Sequence, residues 1–103
     1  MDGRGGWILS PAYDINPTPA DVRQRILSTN ISLDEATCGL GLVRSVAEYF
    51  SLAPAKADTI IRQVATTTAK WRAVAADYNA RSSEIHRMES AFEHSDLAKA
   101  LAL

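Results

Sequence analysis

The chain has a single cysteine among its 103 residues, Cys38, so no internal disulfide can form. Nothing near Cys38 has metal-ligand spacing, and a reducing compartment fits this usage. No run of 18 or more apolar residues exists, so no transmembrane helix is expected. The start, Met1-Asp2-Gly3-Arg4-Gly5-Gly6, lacks the apolar stretch of a signal peptide, and these absences together predict a cytoplasmic protein. Neither sign of charge dominates. Eleven Lys and Arg face 12 Asp and Glu, for a formal net charge of -1, which disfavours a strongly basic nucleic-acid binder. Aromatic residues are few, at 7%, but the apolar fraction of 47% and charged fraction of 22% are those of a folded chain. A domain of this size buries roughly 60–68% of its unfolded surface, enough for one core but too small for a two-lobed enzyme.

Proline and glycine are scarce beyond residue 30, where only Pro54, Gly39 and Gly41 occur. That scarcity divides the chain into an irregular arm, 1–30, and a helical part, 31–103. In the arm, Trp7-Ile8-Leu9 reads as a short strand after a Gly-rich start. Asn16-Pro17-Thr18-Pro19 reads as a stiff extended connection, because proline fits neither a helix interior nor a central strand. Ile26 to Ile31 leans towards a second strand.

The helical part carries clearer signals. Ser32-Leu33-Asp34-Glu35 has the capping-box pattern, followed by Ala36, Leu40, Val43, Val46, Ala47 and Phe50 at helical spacing. Gly39 and Gly41 weaken such a helix by roughly 1 kcal/mol each relative to alanine, and close approach of a neighbour is the expected compensation. Pro54 suits the first position of the next helix. Ala57, Ile60, Ile61, Val64, Thr68, Trp71, Val74, Ala75 and Tyr78 then mark one face, with a bend allowed at Thr66-Thr67-Thr68 and a stop at Asn79. Ser82 or Ser83 is expected to cap a third helix striped by Ile85, Met88 and Phe92. A short last helix is expected from Asp96, with Leu97 and Leu101 inward. The expected fold is mainly α: three to four helices preceded by an irregular arm with one or two short strands.

The candidate chemistry is sparse. His86, Glu89 and Glu93 share a helix face and offer part of a metal site; the absence of a two-histidine motif such as H-E-x-x-H favours a solvated face instead. Trp71 and Tyr78 fall on the apolar face and are expected in the core. Lys56, Arg62, Lys70, Arg72, Arg81 and Arg87 offer phosphate contacts, with a mixed solvated surface as the default. No G-x-x-x-x-G-K-[ST] loop and no nucleophilic triad arrangement is present. Asp14 reads in two ways: an Asx-type turn residue, or a carboxylate at a strand end that would need further ligands or phosphate oxygens to hold Mg²⁺.

One stretch ties these elements together. Trp7-Ile8-Leu9-Ser10-Pro11-Ala12-Tyr13-Asp14-Ile15 resembles the W-x-L-[ST]-P-A-Y-D-[IVL] segment near the C-terminal end of HipA-type toxin kinases. Softer similarities follow at Glu35-Ala36-Thr37-Cys38, Ala47-Glu48-Tyr49-Phe50, Trp71-Arg72, Glu84-Ile85-His86-Arg87-Met88-Glu89 and Ala91-Phe92. The resemblance implies a fold like the C-terminal helical subdomain of the large lobe of a serine/threonine kinase. It implies that Asp14 takes the place of the DFG aspartate, ligating Mg²⁺ at the ATP phosphates, and that Tyr13 lies against the nucleotide. It also implies partners: the upstream kinase portion and a small HipB-type DNA-binding antitoxin. The chain departs from a full kinase in having no Gly-rich phosphate loop, no phosphate-pairing lysine on a strand and no catalytic Asp with its downstream Asn. Phosphoryl transfer needs metal, lysine and base positioned together, so the chain alone is expected to be inactive and to bind neither Mg²⁺ nor ATP tightly. An apolar surface left uncovered would favour self-association. The alternative expectation is a standalone helical interaction module that binds an antitoxin or an upstream kinase fragment. Direct DNA contact through Lys56, Arg62 or Lys70 is the weaker third.

Overall fold

Backbone hydrogen bonding sorts the chain into helices from residue 40 onward and leaves the described residues before it without a helix. The computed structural model describes residues 5–13, 15–27 and 29–103. Helix α1 (Leu40–Ser45) leads into a 3-10 turn (Ala47–Phe50), followed by α2 (Pro54–Thr68), α3 (Trp71–Asp77), α4 (Ser82–Arg87), α5 (Glu89–Phe92) and α6 (Ser95–Leu101). Among the described residues no β-strand forms beyond a single bridge, so the mainly helical class holds. The strand expected at Trp7-Ile8-Leu9 does not form. A strand needs a partner for its N–H and C=O groups, and no described segment pairs with it.

The second expected strand is reduced to one antiparallel bridge, Ile26 with Thr37. The Leu27 N–H donates to the Ala36 carbonyl and the Cys38 N–H to the Arg25 carbonyl, both at 2.7 Å. This pairing corrects the helix start expected at Ser32, because it occupies the backbone of residues 36–38. The Ile31 and Ser32 N–H groups both donate to the Glu35 carbonyl, at 2.7 and 3.3 Å, so the capping-box residues close a turn instead. The helix begins at Leu40, after Gly39 in extended conformation. A Cβ built on Gly39 or Gly41 meets nothing within 4 Å, so the expected close approach is also corrected. Gly39 costs little because it stands outside the helix.

Pro54 occupies the start of α2, as its fixed φ favours. The long helix expected to Tyr78 is interrupted at Ala69–Lys70. Just before the break, the Thr66 and Thr67 hydroxyls donate back to the carbonyls of Arg62 and Gln63, at 2.8 and 3.2 Å. Such back-bonding competes with the helical ladder and bends it. Asn79 ends α3 in the left-handed region, at φ 63°, and Ser51 ends the 3-10 turn at φ 59°. The third helix begins at Ser82, with Arg81 as its cap residue. Its cap is the Glu84 carboxylate, which accepts from the Arg81 N–H at 2.7 Å, rather than a serine hydroxyl.

Helix α2 packs chiefly against α6, and α1 touches both. Among the described residues, the buried apolar side chains besides Pro19 are Val46, Ala47, Ala57, Ala65, Trp71 and Ala100. Four of these six are alanines. Small side chains let helices approach but remove little apolar area from water. Trp71 is the one large member, 8% exposed and stacked on Phe92 with centroids 4.6 Å apart and planes 11° from parallel. Tyr78, expected in the core with it, is 84% exposed, because α3 ends before any element covers that position. Leu97 is half-buried, but Leu101 is exposed. The thin core shows in the dimensions. The accessible surface is 8221 Å², against about 5,700 Å² for a folded monomer of this mass. The radius of gyration is 16.0 Å, against about 13 Å for a compact domain of this length.

Candidate functional site

The arm that carries Trp7-Ile8-Leu9 and Tyr13 is held at one end. Pro19 is buried, the Ala20 N–H donates to Ser90 Oγ at 3.0 Å, and Arg87 pairs with Asp21 at 3.2 Å. Residues 19–21 are thereby fastened to α4 and α5. Before that anchor the described side chains stand in solvent: Trp7 is 87% exposed, Leu9 96% and Tyr13 77%, with Ile8 and Ile15 exposed as well. Asp14 lies outside the described residues. Tyr13 is not among the residues lining the apolar crevices described below.

The second candidate group, His86, Glu89 and Glu93, is engaged otherwise. Arg72 reaches across from α3 and takes both carboxylates, with Nε 2.5 Å from Glu93 Oε1 and Nη2 2.6 Å from Glu89 Oε1. The Trp71 indole N–H also donates to Glu93, at 3.3 Å, and the Arg72 guanidinium lies 5.0 Å from the Trp71 ring centroid. The hydrogen bonds from Arg72 hold the Glu93 carboxyl below its ordinary range, and the same bonds raise Arg72. A carboxylate pair neutralised by a guanidinium has little left to offer a divalent cation. This cluster clips α3 to α5 around the Trp71–Phe92 stack.

The basic residues proposed for phosphate contact are likewise dispersed or occupied. Arg72 and Arg87 are in the ion pairs just described, and Arg62 donates to the Leu103 carbonyl at 2.7 Å. Lys56 and Lys70 are exposed.

Two further arrangements are brought together by the fold, the second from the apolar stripes that the helical spacing marks. The first is a cluster at the mouth of the crevice between α1, α2 and α6. Arg25 pairs there with Asp96 at 3.1 Å, beside Cys38 and His94. His94 Nδ1 accepts from the Leu97 N–H at 3.3 Å, capping α6. Burial and then the nearby Arg25 charge lower the His94 pKa, and Asp96 opposes them. Arg25 and Asp96 are 71 residues apart, so only the fold brings them together. The second is an apolar groove of about 430 Å³ between α2–α3 and α4–α5, floored by Trp71, Val74, Ile85, Met88 and Phe92 and rimmed by Pro17. Further crevices lie between the Asn30–Ile31 loop and α1–α2 and beside Tyr49–Phe50. What these surfaces share chemically is uncovered hydrocarbon, which suits docking rather than turnover.

Among the described residues, no helix is long and apolar enough to cross a membrane, and no three His, Cys, Asp or Glu side chains converge as a metal site. No protein-family model, curated protein or solved structure matches the chain.

Proposed function

We propose that this chain is the C-terminal portion of a HipA-like serine/threonine kinase of a toxin–antitoxin system. In that reading the arm supplies Tyr13 and Asp14 to a nucleotide site completed by the upstream kinase portion, and the helices give the large lobe its packing and partner surface. The observation that carries the reading is the arm itself: fastened at residues 19–21, it presents Trp7, Leu9, Tyr13 and Ile15 to solvent in the order of the kinase-like segment. A row of apolar side chains held out from an anchored base is what a segment designed to pack on further structure looks like. Mg²⁺ at Asp14 would supply charge neutralisation at the phosphates. This chain's own part is to place the carboxylate and the neighbouring aromatic ring.

The test is a graft. The chain replaces the corresponding C-terminal part of a HipA-type kinase, and Mg-ATP-dependent phosphorylation is measured. Activity is expected in the graft and its loss in the Asp14→Ala graft, while the 103-residue chain alone transfers no phosphate. A soluble, folded graft without activity, or one indifferent to Asp14→Ala, overturns the reading. The uncovered apolar crevices favour a second reading, a helical interaction module without a catalytic role, and an inactive graft that still captures the antitoxin would select it.

A further inference from the structure

The groove between α3 and α4–α5 and the arm that borders it are complementary surfaces of one chain. Pro17 already lies on the groove's rim. The groove presents Trp71, Val74, Ile85, Met88 and Phe92; the arm presents Trp7, Ile8 and Leu9. In the structure they do not meet, and the connection explains why. A reversal centred on Pro17-Thr18 would close with an N–H from residue 19, and Pro19 has none. Asn16 and Thr18 both precede proline and are biased to extended backbone. That leaves no hydrogen-bonded reversal at Pro17-Thr18 to fold the arm back onto its own groove. From residue 7 to residue 17 it spans up to about 33–36 Å, enough to cross to a neighbouring molecule.

We propose that the 103-residue chain forms a two-fold dimer by reciprocal arm exchange, Trp7-Ile8-Leu9 of each copy filling the α3/α4–α5 groove of the other. The areas favour a second copy as the occupant. Trp7 alone carries roughly 150–250 Å² of coverable surface. With Leu9 on the same side of the extended segment and the opposing groove, counted for both copies, the exchange buries on the order of 1,000 Å², the area a specific interface must clear. No charged side chain lies between Gly5 and Tyr13, so the inserted segment carries no charge into the hydrocarbon. Two-fold exchange also closes on itself, leaving no arm to propagate a filament. The proposal concerns the chain by itself: an upstream kinase portion would compete for the same Trp7 and Leu9 side chains, and no nucleotide enters the test.

Sedimentation equilibrium of the purified chain reads the outcome. A dimer at micromolar concentration is expected. Trp7→Ala with Leu9→Ala is expected to weaken it by about 100-fold, in line with loss of a central aromatic anchor, with the helical circular dichroism unchanged. A monomer throughout, or a dimer indifferent to the arm substitutions, overturns the proposal. Cross-linking separates exchange from fold-back. In a Cys38→Ser background, chains carrying Leu9→Cys are mixed with chains carrying Ala80→Cys and oxidised. Covalent heterodimers are expected. A chain carrying both cysteines that closes mainly on itself, as a monomer, also overturns it.

Discussion

Residues 5–18 and residues 40–101 each carry tryptophan, isoleucine and leucine, yet the two regions use them oppositely. In the helical region Trp71 is packed on Phe92, roofed by Arg72 and bonded through its indole N–H to Glu93. In the arm Trp7 stands almost wholly in solvent. The difference lies in what each backbone can do alone. A helix satisfies its own N–H and C=O groups and is free to turn one face inward. An extended arm must borrow hydrogen bonds and cover from elsewhere. Apolar content therefore folds the second region and leaves the first dependent on another surface.

The largest effect that would break this contrast is on stability. Trp71→Ala should cost about 3–5 kcal/mol, the usual range for removing a buried aromatic side chain. With so few large side chains in the core, that loss should unfold the helices at room temperature. Trp7→Ala should change stability by no more than about 0.5 kcal/mol, as for other uncommitted surface positions. Urea denaturation followed by helical circular dichroism, at concentrations too low for association, compares them. Equal losses would mean that the arm is part of the fold rather than an appendage.

What was legible in the sequence follows the same division. Pro54, the bend after the threonine triplet and the stop at Asn79 were readable because each acts through its own backbone. The helix expected at Ser32 failed because its capping signal is local, whereas the pairing of Ile26 with Thr37 that displaces it joins residues eleven apart. Tyr78 has the same spacing as Trp71, and periodicity cannot say where the covering element ends. The clamp of Arg72 on Glu89 and Glu93 was hidden because spacing showed the two carboxylates on one face but not the cation arriving from another helix. Asp14, the residue on which the nucleotide reading turns, owes its weight entirely to the resemblance, since a lone Asp before Ile-Asn-Pro is equally a turn residue.

A smaller effect sharpens the account of how the helical region turns. Asn79 sits in the left-handed region, where a Cβ costs roughly 1–2 kcal/mol unless a short polar side chain bonds locally. Asn79→Ala should therefore lose about 1 kcal/mol, and Asn79→Gly should lose little or nothing, in the same denaturation assay. Equal losses in both would mean that the asparagine side chain, not the backbone, holds the turn. The clip between α3 and α5 is subtler. Arg72→Met keeps the aliphatic stem over Trp71 but leaves Glu89 and Glu93 facing each other. The melting temperature should fall at low ionic strength, and the gap to wild type should narrow as salt screens the repulsion.

The smallest effect is a slope with pH. His94 caps α6 through a neutral ring nitrogen, and burial together with the Arg25 charge lowers its pKa from the ordinary 6.5, against the pull of Asp96. A group whose folded value is depressed binds protons more readily when unfolded. Its contribution is complete above pH 6.5 and is lost as pH falls from there through the folded value. Glu93 is also depressed, from an ordinary 4.5, so its contribution persists until pH falls below that. Acid should therefore weaken the helical region in two stages, His94 first. His94→Asn keeps a side-chain acceptor at the cap and cannot titrate. In that variant the stability measured by urea denaturation should stay level between pH 7 and 5 where wild type declines, and the later fall should remain. A variant that keeps the wild-type decline would place the titrating group elsewhere, and would leave the cap at α6 as a matter of hydrogen bonding alone.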